Sequence, residues 1–157
     1  MLRTHISLAG IIFLAVFFET VFVPGVWNSL RVDLFIGMII GVMIHLGFSQ
    51  GLTFVLVTSL FLQAFSGARP GLVPMIYLGI FFVVCLLKGI IYMENILTQL
   101  ILAGVLSILV ATGLAISFDL SMSEAELVSM VVGGVLTGMV SPLMVALVGS
   151  MKKAYEA

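Results

Sequence analysis

At 157 residues, 62% of them hydrophobic and only 8% charged, with a mean hydropathy of +1.37, the chain lies far outside the range of soluble globular domains. A formal net charge of −1, with no basic run longer than Lys152–Lys153, excludes the electrostatic footprint of a nucleic-acid binder. The single Cys85 can close no intramolecular disulfide and has no companion at metal-ligand spacing, so neither redox nor zinc chemistry is indicated.

This composition predicts an all-α polytopic membrane protein, a single six-helix domain over residues 1–157, since six spans of about twenty residues use roughly 120 of them. The first span covers about 5–23. Its apolar run from Ile6 is longer than a signal-peptide core and is followed by Pro24-Gly25 rather than a small-x-small cleavage site, so it is read as retained. Trp27 follows at a position suited to an interfacial aromatic. From Asp33 to Phe65 the chain is almost continuously apolar, and as one helix it would run about 50 Å against a hydrocarbon core of about 30 Å. A break is therefore required, and the segment Gly47-Phe48-Ser49-Gln50-Gly51 predicts spans at 33–46 and 52–65. Both are short for a bilayer, which calls for shielding by neighbouring helices or local thinning. Such pairs resemble the interrupted helices of transporters.

The turn from Ser66 to Gly71 leads into a fourth span at 72–92, with Pro74 in its first turn, where a missing N–H is tolerated. Lys88 and Glu94 bracket the connection to a fifth span at 96–116. A polar loop with Asp119, Glu124 and Glu126 follows, and the spacing of Ser123 and Glu126 predicts a capping box ahead of the last span, 127–148, kinked at Ser141-Pro142. An even number of spans puts both termini on one side. An N-in, C-in arrangement leaves Arg3, Lys88, Lys152 and Lys153 inside against Arg31 and Arg69 outside, in the sense of the positive-inside rule.

Ionisable groups in or beside spans are expensive and so are the candidate functional residues. Glu19 is either a carboxylate paired within the bundle or a partner contact or ion ligand. Arg31 and Asp33 flank the outward start of the second span, where Asp33 is placed to cap the helix and Arg31 to reach headgroups. Together with Glu19, Gln63 and Arg69 they form a candidate partner interface at the outward level. His45 reads as an interfacial histidine with a backbone partner, and Lys88 as a snorkelling topology determinant. Gly37-x-x-x-Gly41, and Gly134-x-x-x-Gly138 continued by Ser141, let another helix approach closely, either from this chain or from a partner. Nucleotide-loop, zinc-protease, nucleophile-elbow and dithiol motifs are all lacking, so the sequence predicts no enzyme, no cofactor and no metal.

Three elements of the first eighty residues resemble the rod-shape-determining protein MreD family. They are Glu19-Thr20-Val21-Phe22-Val23-Pro24, then Arg31-Val32-Asp33-Leu34, then Gly51-Leu52 through Gln63-Ala64-Phe65-Ser66-Gly67 with Gly71-Leu72. Val32 departs from the family's proline and Gln63 from its usual acid. The resemblance implies a non-catalytic scaffold of the bacterial inner membrane. It implies an MreC-like bitopic partner, an MreB-like filament and a RodA/PBP2-like peptidoglycan synthase, with no small-molecule substrate. It also implies a fold like the substrate-binding component of energy-coupling-factor transporters, which makes a vitamin-binding transporter component the rival reading.

Overall fold

A computed structural model describes residues 9–10, 12–14, 16–17, 32–66, 69–117 and 123–156. Most of them are helical, joined by short turns and loops, with no strand among the described residues; the described residues before 18 are helical, and five helices follow. These are α1 (Leu34–His45), α2 (Phe48–Ser66), α3 (Leu72–Lys88), α4 (Ile96–Ser117) and α5 (Glu124–Glu156). Segments Phe48–Ser66, Ile96–Ile116 and Glu124–Lys153 are long and apolar enough to cross a membrane, which fits an α-helical polytopic membrane protein. Large apolar side chains stand exposed along their flanks, including Ile101, Val105 and Leu109 on α4 and Val135, Met139 and Leu143 on α5. Contiguous apolar surface of that extent suits lipid rather than water.

The centre of the bundle is α1, which touches all four other helices. It is apolar on every side, with Leu34 through Met43 buried, as a helix without a polar face must be. At 12 residues it is about 18 Å long, well short of a bilayer core. It ends at Leu46-Gly47, where Gly47 adopts φ 88°, a left-handed conformation that glycine reaches without penalty, and the Leu46 N–H returns to the Val42 carbonyl at 2.8 Å.

The chain then reverses at once into α2. The expected five-residue link is in fact two residues, because Phe48, Ser49 and Gln50 already belong to the helix. Of the two undersized spans the sequence suggests, only α1 is undersized; α2 has 19 residues. Phe48 and Phe81 explain the extra turn, for their rings lie 5.5 Å apart and the Phe81 edge fills the notch over Gly51, giving the first turn of α2 an apolar partner on α3.

Around α1, α2 and α3 form an antiparallel hairpin on one side, and α4 and α5 another. Helix α5 runs parallel to α1 in close contact. A Cβ on Gly37 would lie 3.0 Å from Ser141 Cα, and one on Gly41 3.0 Å from Val145 Cα. On its other face, Gly134 and Gly138 meet α4, where a Cβ on Gly138 would come to 2.5 Å from the Leu100 carbonyl oxygen. These small residues let the helix backbones approach. Helix α5 is continuous through Pro142 and starts at the expected capping box, in which the Ser123 N–H donates to Glu126 Oε2 at 2.8 Å and the Glu126 N–H to Ser123 Oγ at 3.4 Å.

Candidate functional site

A short helix buried on all sides cannot leave its end groups to water, so its termini dictate where polar residues must go. At the N-terminus of α1, Asp33 accepts the Ile36 N–H on Oδ1 at 3.2 Å and the Tyr77 hydroxyl on Oδ2 at 2.7 Å. Its own N–H donates to Thr137 Oγ1 at 2.9 Å, and Ser107 Oγ donates to the same oxygen at 3.2 Å. Asp33 thus ties the start of α1 to α3 through its carboxylate and to α5 through its backbone N–H, and Ser107 brings α4 to the same threonine. The Asp33 carboxylate also lies opposite the positive end of the α1 dipole.

The depth of this cluster is the main departure from expectation. Ser107 stands midway along α4, and Thr137 is about 20 Å from the first residue of α5 at helical rise. Asp33 therefore sits at mid-height in the bundle rather than at a membrane boundary. The 12-residue α1 runs from there to one end only.

At the other terminus two ammonium groups meet the last carbonyls of α1. Lys88 Nζ donates to the Met43 oxygen at 2.6 Å and Lys152 Nζ to the His45 oxygen at 2.8 Å. Cations at a helix C-terminus complement both its open acceptors and its dipole. Lys88 thus turns back into the bundle from the end of α3 instead of only reaching for the interface.

The remaining candidates separate. Gln63 accepts the Val73 N–H at 3.1 Å, closing the turn between α2 and α3, and Arg69 is exposed in that turn. Gln63 lies nine residues beyond Phe54, whose ring packs 5.5 Å from that of Phe35, so it stands about 10 Å from Asp33 along the bundle axis. Glu19 and Arg31 lie outside the described residues. The outward constellation inferred from sequence is therefore not a single level, since Asp33 lies deep while Gln63 and Arg69 stay at the end that also carries Glu124 and Glu126. Among the described residues no group of three His, Cys, Asp or Glu side chains could hold a metal ion.

At the opposite, lysine-bearing end, a groove of about 450 Å³ opens between the C-terminus of α1, the start of α4 and α5. Ile44, Ile96, Val145 and Ala146 supply apolar walls beside Pro142, and His45, Glu94 and Gln99 supply polar groups. The turn that carries Glu94 is tied in place: Gln99 Nε2 donates to the Met93 oxygen at 3.0 Å and the Leu97 N–H to Asn95 Oδ1 at 3.0 Å. Tyr92 donates its hydroxyl to Glu94 Oε2 at 3.0 Å, and this carboxylate pushes the exposed phenol above its ordinary range. No sequence motif marks the groove, because its walls come from three separate stretches, 44–45, 94–99 and 142–146.

Comparison of the chain with protein-family models, with curated proteins and with solved structures found no match.

Proposed function

We propose that the protein is a non-catalytic scaffold subunit of the bacterial inner membrane, acting in the cell-elongation complex as its resemblance to MreD implies. It would span the membrane six times with both termini inside and join an MreC-like bitopic protein to an MreB-like filament and a RodA/PBP2-like synthase. The observation that supports this best is the use made of polar groups in the described bundle. Asp33, Tyr77, Thr137, Ser107, Lys88 and Lys152 are engaged in holding α1 in place rather than in lining a chamber. A protein built this way offers helix flanks and end turns to partners.

The rival vitamin-binding reading calls for a pocket at the Gln63 end, whereas the groove described above opens at the opposite end. The test is co-expression with a single-span candidate partner and purification in mild detergent. Stable co-purification, weakened by Arg69→Glu without change in the melting temperature, is expected. If the protein purifies alone with a tightly held small molecule and captures no membrane partner, the scaffold assignment fails.

A further inference from the structure

A scaffold must present one of its flanks to the span of its bitopic partner, and one flank of the described bundle is set apart by the charge at its foot. Along α5, Val128, Val132, Val135, Met139, Leu143 and Ala146 are all exposed, and spacings of three and four residues put them on one helix face. The stripe is about 27 Å long at helical rise, against a hydrocarbon core of about 30 Å. Its half nearer Glu124 is valine, whose stiff side chains lose little freedom when another helix covers them. At the lysine-bearing end the stripe runs into the groove, because Ala146 belongs to both and Pro142, one turn away, lines the groove as well. Glu94 shares that lining. Its carboxylate is exposed, and among the described residues its one hydrogen-bond partner is the Tyr92 hydroxyl on Oε2. Lys88 and Lys152 lie on the Met43 and His45 carbonyls, at the negative end of the α1 dipole.

We propose that the α5 flank from Val128 to Ala146 is the docking face for the transmembrane helix of the bitopic partner, and that a Lys or Arg at the cytoplasmic end of that helix enters the groove and pairs with Glu94. This rests on the scaffold reading and adds to it a face and a contact. Charge favours this occupant over lipid. In the proposed orientation the groove meets the cytoplasmic leaflet, whose anionic headgroups repel a carboxylate. A single span, by contrast, carries its Lys and Arg residues at its cytoplasmic end, the level at which Glu94 stands. The groove, about 450 Å³ in volume, gives the aliphatic stem of such a residue the apolar wall of Ile96, Val145 and Ala146 while its charged head meets the carboxylate.

The test uses the full-length protein co-expressed with an MreC-like bitopic protein, in a Cys85→Ala background. Cysteine replaces either Met139 on the docking face or Gly79, which is exposed on α3, and a second cysteine is stepped through the middle turn of the partner's span. Oxidative cross-linking in membranes is expected from Met139→Cys and not from Gly79→Cys. Glu94→Lys should weaken capture of the partner about fivefold with the melting temperature unchanged, and changing the partner's basic residue to Glu should restore it. Cross-linking from Gly79→Cys instead, pairing of Met139→Cys only with a second copy of this chain, or no cross-link from Met139→Cys in a complex that still co-purifies overturns the docking face. So does capture indifferent to Glu94→Lys. Each of these leaves the scaffold assignment standing, whereas failure of the unmodified protein to capture the partner removes that assignment and this inference with it.

Discussion

Tyr77 donates its hydroxyl to Asp33 at 2.7 Å, at mid-height in a bundle whose long helices are sized to cross a membrane. Removing either partner deprives the other of this bond inside the bundle. Tyr77→Phe is expected to destabilise the protein by about 1–2 kcal/mol, and Asp33→Ala by more, because it also removes the cap on Ile36. A double-mutant cycle of Tyr77→Phe with Asp33→Ala, read from thermal unfolding in detergent, should show coupling of about 0.5–2 kcal/mol. Strict additivity would mean that the two side chains do not act as a unit.

The glycines divide by what surrounds them. Gly138→Ala places a methyl group 2.5 Å from the Leu100 carbonyl and should separate α4 from α5 at a cost of about 1–3 kcal/mol. Gly79→Ala meets nothing within 4 Å and should be neutral or stabilising by up to about 1 kcal/mol, since alanine is the better helix former. Comparison of their melting temperatures decides the matter; equal effects would show that close backbone approach is unimportant at Gly138.

The two lysines that bond to the carbonyls of α1, Lys88 from α3 and Lys152 from α5, should matter more than the third. Lys88→Met and Lys152→Met each remove a donor from a carbonyl at the helix end, an expected loss of about 1 kcal/mol apiece. Lys153 is exposed, and Lys153→Gln should fall within about 0.5 kcal/mol of the parent. Chemical denaturation of the three variants in the same detergent gives the ranking.

Topology can be read by labelling. In a Cys85→Ala background, cysteine introduced at Lys153 should react with a membrane-impermeant maleimide only after the cells are opened, and cysteine at Glu124 in intact spheroplasts. Both positions are exposed and lie at opposite ends of α5. Labelling of both from one side would rule out the proposed orientation.

What could be read in advance was local. The capping box of Ser123 and Glu126 and the capping role of Asp33 follow from spacings of three residues, over which a side chain reaches only its own backbone. The start of α4 followed likewise from the shift between polar and apolar residues. The depth of Asp33 could not be read in this way. Hydropathy marks where an apolar run begins, but α1 begins inside the bundle, where other helices rather than water receive its polar cap. The length of α2 was missed for a similar reason, since Phe48 is held by Phe81, more than thirty positions along the chain.

The sequence by itself determined the class of the protein: a helical bundle for a lipid environment, punctuated by glycine, proline and capping residues. Those features depend on the solvent and on near neighbours in the chain. Only the tertiary structure decided that a 12-residue helix would be the core and that its ends would be closed by Tyr77 through Asp33 and by Lys152 on His45. Those partners stand 44 and 107 positions apart, and no short-range rule links them. They meet because the unsatisfied ends of a buried helix must be met by whichever polar side chains the packed bundle brings within reach.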